Sequence, residues 1–258
     1  MATPDAGRFE LHLPPPNAGN VLDQDEEWCE VEIDGERRRI RLHDYAAIYD
    51  IPGLYEQLFS ELLECSSPEV VCDVLREELD RAGVDPAALT ALDFGAGSGM
   101  VGERLSRIGL GTIVGIDLLP EARAAALRDR PGIYDDYRTL DLNALRAADR
   151  AELEGHDFDC LACVAALGFG DVPPTAFTQA FNLVASPGWL AFNLRERLLH
   201  EDDAAGFGAL IERMLAEGVI EQRARTRYTH RISVSGEPLD YVAIVAAKHQ
   251  DVPLSWVP

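Results

Sequence analysis

Three glycines on alternate positions, Gly95, Gly97 and Gly99, follow an apolar run that ends in Asp93, and an amphipathic pattern begins at Met100. Apolar run, acid, glycines and helix spell a strand, a tight turn and a helix N-terminus. An α/β fold uses that arrangement to bring backbone close to a nucleotide-like ligand. Glycine suits such a loop because it tolerates positive φ and puts no Cβ between backbone and ligand. Two more acids end later apolar runs, Asp117 in TIVGID and Asp141 in YRTLD. A carboxylate at the first tip can accept hydrogen bonds from both hydroxyls of a ribose. One at the second can accept from an adenine amino group while the next N–H, of Leu142, meets a ring nitrogen.

Two ligand classes compete for the loop. A dinucleotide site wants G-x-G-x-x-G, with a pyrophosphate on the helix N-terminus. Counted from Gly95, the sixth position is Met100, and the third glycine comes one place early. A carboxylate at Asp93 is poorly placed beside a pyrophosphate and well suited to a cation. S-adenosylmethionine (SAM) has no phosphate and carries an ammonium and a sulfonium, so it fits better. An NAD(P)-dependent oxidoreductase is the alternative enzyme, since it would use the same acid at Asp117; a SAM-binding module without turnover is a third reading. Methyl transfer is an in-line displacement in which alignment carries much of the acceleration, and an oxygen or nitrogen acceptor adds a need for a general base. By topology the acceptor lies beyond strands four and five, near Leu167, Phe169, Asp171, Asn193, Arg195 and His200. His200 is the candidate base and Asp171 a second catalytic candidate, against the plainer roles of a solvated histidine and a loop acid.

The elements that position these residues follow from pattern. Trp28 to Leu42 contains two alternating runs around Asp34-Gly35, a two-residue hairpin signal. Pairing across it sets Glu32 opposite Arg37, Glu30 opposite Arg39 and Trp28 opposite Arg41, leaving Cys29, Val31, Ile33 and Ile40 on the other face. Residues 43–64 read as helical with a break at Pro52-Gly53. Ser66-Ser67-Pro68 predicts an N-cap and a helix that ends at Gly83. Strands are expected at 90–94, 112–117, 137–141, 158–164 and 188–193, and helices at 100–108, 120–129, 174–184 and 203–217. The alternation predicts a parallel sheet covered on both faces. A long antiparallel hairpin closes the chain. Residues 1–26, rich in Pro, Gly, Asn and Asp, are expected to form a flexible lead, 27–68 a hairpin and helical lid, and 69–258 the SAM-binding domain.

DFGAGSG with Asp117, Asp141-Leu142 and the closing hairpin resembles a class I SAM-dependent methyltransferase over roughly residues 43–249. The combination HDYAAIYD, DFGAGSG, ALGFGDVP and GWLAFN is similar to small methyltransferases of the methyltransferase-like protein 27 kind. The resemblance implies a Rossmann-like α/β fold with a seven-stranded sheet of order 3-2-1-4-5-7-6 and strand 7 antiparallel. It places cofactor contacts at Asp93, Gly95, Ala96, Gly97, Gly99, Asp117, Leu118, Asp141, Leu142, Val164 and Ala165. Tyr45 and Tyr49 match tyrosines that cap the cofactor from an N-terminal helix.

Composition narrows the partners. The 258 residues carry a formal charge of −22, a field that repels phosphate backbones, so nucleic acid is disfavoured and a small-molecule acceptor is expected. The cluster Arg37, Arg38, Arg39 and Arg41 belongs to the hairpin face. Lys248 is the single lysine, read as a bias of base composition. Cys160 and Cys163 form a CxxC inside an apolar run that reads as a buried strand, where residues three apart face opposite ways and cannot share a metal. No metal is expected. With no run near the roughly 18 apolar residues of a membrane span and no signal-peptide core, the expectation is a cytoplasmic protein without a membrane partner. Exposed hairpin edges leave a homodimer open.

Overall fold

The computed structural model describes residues 8–15, 24–167, 172–199 and 206–257. Asp34 and Gly35 both take positive φ, 54° and 79°, as a two-residue hairpin turn with right-handed strand twist demands. They join β2 (Trp28–Ile33) to β3 (Glu36–Arg41) in the expected register, Glu32 on Arg37 and Glu30 on Arg39. Trp28 pairs with Arg41 as expected, yet its ring takes a different arginine. Arg39, diagonal to Trp28, lies over its ring at 3.8 Å, while Arg41, directly opposite, donates to the carbonyl of Asp25. Diagonal partners come within reach of long side chains on a twisted pair. Inside the segment expected to be a flexible lead, β1 (Leu11–His12) pairs antiparallel with β2. It is pinned by Gln57, whose amide bonds both the N–H and the carbonyl of Phe9. One outer edge of the hairpin is thereby occupied.

The main sheet holds β4 (Thr90–Phe94), β5 (Thr112–Asp117), β6 (Asp136–Thr139), β7 (Cys160–Cys163), β8 (Gly188–Arg195), β9 (Ile220–Ile232) and β10 (Pro238–Lys248). Their order is β6-β5-β4-β7-β8-β10-β9, and β10 runs antiparallel to both neighbours. Counted from β4, this is the order 3-2-1-4-5-7-6 that the resemblance implied. The helices are α1 (Tyr45–Tyr49), α2 (Ser67–Ala82), α3 (Met100–Arg107), α4 (Pro120–Asp129), α5 (Ala147–Glu154), α6 (Pro174–Asn182) and α7 (Phe207–Ala216), with a π-helical segment at Glu56–Leu62. Among the described residues, no helix is long and apolar enough to cross a membrane.

Each sheet face buries its own layer. Leu161 and Cys163 pack with Phe177, Phe181 and Phe192 on one side. Cys160 and Ala162 pack with Val71, Leu75 and Leu105 of α2 and α3 on the other. The CxxC cysteines therefore do face opposite ways, and burial pushes both thiols up. A third layer joins the hairpin to α1 and the π-helical segment through Val31, Leu42, Ile48 and Leu58. Ser66 departs from its expected role. It precedes α2, yet its hydroxyl donates to the carbonyl of Thr229 instead of capping the helix. Gly83 closes α2 in the left-handed conformation, the usual helix stop. Lys248 is fully buried and donates to the carbonyls of Phe181 and Val184 at the end of α6 and to Asp251.

Candidate active site

A cavity of about 550 Å³ opens at the carboxyl ends of β4 and β5. Its floor is the loop from β4 to α3. Gly95 has φ 75°, and a Cβ there would lie 2.8 Å from the Cβ of Ala166. Gly97 has φ 54°, and a Cβ there would lie 2.5 Å from the Tyr49 hydroxyl. Both positions require glycine for conformation and for space. Four of the loop's N–H groups are spent inside the protein. Those of Gly95 and Ala96 donate to the Ile116 carbonyl, that of Gly97 to the Asp117 carboxylate at 2.9 Å, and that of Gly99 to the Ala96 carbonyl. A pyrophosphate cradle needs such donors free. With these four committed and a carboxylate alongside, the loop suits a ligand without phosphate.

Asp117 accepts from Gly97 and, through its other oxygen, from the N–H of Leu119. Burial raises its pKa, and these N–H donors oppose the rise. Leu118 beside it is 60% exposed, an apolar surface at the cavity mouth of the kind that takes a ring face. Asp141 starts the short helical turn Leu142–Ala144 by accepting from the N–H of Asn143. Both Asp141 and Leu142 line the cavity, as do Ala96, Val164 and Ala165. Ala165 holds φ 56°, a conformation that costs an L-residue about 1 kcal/mol. Its N–H is held at 2.7 Å by the Asn193 side chain.

Two of the proposed cofactor contacts stand behind the wall. Gly99 faces the ring of Tyr134 and the side chain of Arg130. Asp93 lies on the face of β4 opposite to Leu92 and Phe94, fully buried, where Tyr134 donates to its Oδ2 at 2.7 Å and Oδ1 has no partner. Burial pushes its pKa up to about 7, against the Tyr134 hydrogen bond, with Asp117 adding to the rise. Strand alternation sets this: a side chain one residue before the tip points away from the side Phe94 lines.

The roof comes from the amino-terminal elements, and Tyr45 and Tyr49 both line the cavity from α1. Their rings stack at 6.0 Å, and Tyr55 packs on Tyr49 at 5.2 Å. Two arginines fasten the roof to the sheet domain. Arg128 donates twice to the Tyr49 carbonyl, and Arg130 bridges Glu56, Glu103 and the Ser98 carbonyl. Sequence reasoning missed Tyr55, His43 and Met100 as cavity walls. His43 opens the HDYAAIYD motif and Tyr55 follows six residues after Tyr49, so an aromatic signal was present.

The acceptor-side candidates divide. Leu167 is buried. Asn193 is buried and spends its amide on Ala165, Ser67 and Tyr228. Both catalytic candidates, Asp171 and His200, lie outside the described residues, as does Phe169. Cys65 lines the cavity, but burial raises its pKa and it is no poised nucleophile. Among the described residues no group of three or more His, Cys, Asp or Glu is placed to hold a metal ion.

Residues 67–225 match the family model described as a methyltransferase domain. The chain belongs to this family. The match takes in the glycine loop and both rim acids, so the chain carries a methyltransferase domain. Among curated proteins, the chain is 34% identical over 121 residues to a ubiquinone biosynthesis O-methyltransferase of Xanthomonas axonopodis pv. citri (strain 306), covering 46% of this chain and 47% of that one. It is 26% identical over 154 residues to the protein of the same name from Hydrogenovibrio crunogenus, covering 60% and 59%. The chain thus spans about half the length of the curated relatives it matches. A SAM-dependent methyltransferase structure from Anabaena variabilis superposes with a TM-score of 0.52 at 15% identity, over 82% of this chain and 96% of that one, and shares the fold.

Proposed function

We propose that the methyltransferase transfers its methyl group to a hydroxyl of a small, uncharged acceptor in a reducing, cytoplasmic setting. The observation that carries this reading is the roofed cavity: Tyr45 and Tyr49 close over the glycine loop while Asp117 and Asp141 stand at its rim. A chamber of about 550 Å³ holds a cofactor and a compact acceptor, within the usual size of small-molecule sites. The oxygen acceptor follows the name of the curated relatives. The charge of −22 speaks against nucleic acid. The cysteines are all free, in keeping with a reducing compartment.

Asp117 would hold the ribose hydroxyls, Asp141 and Leu142 the adenine edge, with Leu118 against its face. Gly95, Gly97 and Ala165 would give the backbone approach. When bound, the cofactor's sulfonium supplies an activated methyl carbon. The chain's own task is then to align an acceptor oxygen and exclude water, which the tyrosine roof and its arginine clamps serve. His200 and Asp171 stand as candidates for taking the hydroxyl proton, on their chemistry and their place after strands five and four.

Calorimetric titration with S-adenosylhomocysteine (SAH) tests the cofactor half. Micromolar or tighter binding is expected, weakened at least about tenfold by Asp117→Ala, which removes charge-assisted contacts; absence of binding at millimolar ligand refutes it. Release of SAH in a cell extract, set against a boiled control, distinguishes turnover from binding alone.

A further inference from the structure

Behind Tyr45, a recess of about 40 Å³ shares the walls of Tyr45, Tyr55, Cys65 and Ala165-Ala166 with the main cavity. Its far side is Gln24, His230, Arg231 and Tyr241. Arg231 forms a buried ion pair with Glu27, whose other oxygen accepts from the N–H of Val234, so this charge is neutralised in place. The imidazole of His230 packs tilted against Tyr241 at 4.3 Å, and burial drops its pKa to about 3, so the ring is neutral at physiological pH.

The hydrogen-bond chain behind His230 fixes where its proton sits. Asn193 is oriented by the Ala165 N–H, so its amide nitrogen donates to Ser67 Oγ at 3.0 Å and to the Tyr228 hydroxyl at 2.7 Å. Ser67 Oγ is 2.6 Å from the Tyr228 oxygen and 2.6 Å from His230 Nδ1. Each hydroxyl has one hydrogen. Tyr228 donating to Ser67, and Ser67 to Nδ1, uses both; the reverse direction leaves the Tyr228 hydrogen with no acceptor in the chain. The arrangement that uses both hydroxyl hydrogens makes His230 Nδ1, which also lies 3.8 Å from Cys65 Sγ, the acceptor, and the ring then carries its hydrogen on Nε2. On the other wall, Gln24 is 6% exposed. Its amide nitrogen is spent on the Tyr241 hydroxyl at 3.1 Å, and its buried Oε1 has no hydrogen-bond partner.

We propose that this recess is the acceptor-recognition subsite and that it takes a neutral hydroxyl, with His230 and Gln24 as the specificity-determining pair. A hydroxyl both accepts, from His230 Nε2–H, and donates, to Gln24 Oε1. A carboxylate has no hydrogen for Gln24, an ammonium has no lone pair for His230, and either would bring an unpaired charge into a neutral pocket. The inference rests on the methyltransferase reading of the main cavity.

The test uses the full chain labelled with 15N-histidine and saturated with SAH, with phenol as the probe and benzoate and benzylammonium as charged analogues. Expected are a His230 spectrum of the neutral Nε2–H tautomer and a saturable shift with phenol. The two analogues should bind at least about tenfold more weakly. Gln24→Leu should raise the phenol dissociation constant about tenfold, as loss of one buried hydrogen bond does, and leave SAH affinity unchanged. Gln24→Met replaces it if the leucine variant loses SAH binding. An Nδ1–H tautomer, no saturable phenol shift, benzoate binding as tightly as phenol, or unchanged phenol affinity in the Gln24 variant each overturns the proposal. Failure of SAH to bind the wild type counts against the cofactor site alone, and the tautomer and phenol response are then read on the cofactor-free chain.

Discussion

Asp93 carries a measurable cost in stability. Fully buried, with one oxygen bonded to Tyr134 and the other unpartnered, it titrates at about 7 in the folded chain against an ordinary value of 3.8. Between those two pH values the folded state holds a proton that the unfolded state has released, so stability falls as pH rises. Its contribution is complete below the unfolded value, is lost progressively through the window and is gone once pH passes about 7. At about 1.4 kcal/mol per pH unit the whole loss is on the order of 4 kcal/mol. Asp93→Asn keeps the shape and an acceptor for Tyr134 while removing the titration.

Urea unfolding of both proteins at half-unit steps from pH 4.5 to 8.5 gives the comparison. Other carboxylates titrate equally in each and cancel in the difference. The difference in unfolding free energy should climb in favour of the asparagine variant by about 1 kcal/mol per pH unit up to neutrality, then level off. Any packing defect of asparagine adds a constant and leaves that slope intact. Parallel stability curves across the range would refute the reasoning, because they would mean the buried carboxyl ionises as readily as an exposed one.

Two further perturbations follow from buried polar groups. Lys248→Met leaves the carbonyls of Phe181 and Val184 at the end of α6 without their donor and should cost about 2–4 kcal/mol in urea unfolding. Because Lys248 is the chain's single lysine and fully buried, an amine-directed ester should modify the folded protein at the α-amino group and leave Lys248 unlabelled until urea is added. Asn193→Leu strands the Ala165 N–H and removes a donor from both Ser67 and Tyr228, so about 2–4 kcal/mol of stability should be lost. The same denaturation assay checks it.

Features held within a single turn or strand could be read in advance. Asp34-Gly35 dictates the hairpin because two successive residues must take positive φ, and the register of six pairs follows from that turn. The acids at the tips of β5 and β6 reach the cavity because a strand end in a parallel sheet has one place to point. Where non-local groups compete, the reading failed. Ser66 had the right identity for a cap, yet the carbonyl of Thr229, distant in sequence, holds its hydroxyl. Asp93 had the right identity for a ligand contact, but the pleat turns it towards Tyr134. The arginine bias said nothing of Lys248 itself, which is a buried donor to the carbonyls of Phe181 and Val184.

The two halves of the site differ in the same way. Asp117, Asp141, the glycine loop and Ala165 all fall inside the span matched by the methyltransferase domain, 67–225. Gln24, His43, Tyr45, Cys65, His230 and Tyr241 all fall outside it. Gln24 meets Tyr241 across 217 positions, a separation no turn signal or period can encode. The arrangement has a physical rationale. A cofactor common to many reactions is met by a fixed loop and strand tips, where strain and close approach permit few substitutions. On the proposed reading an acceptor is met where the amino-terminal cap closes on the terminal hairpin, so the side chains that choose it can change without disturbing the cofactor's cradle.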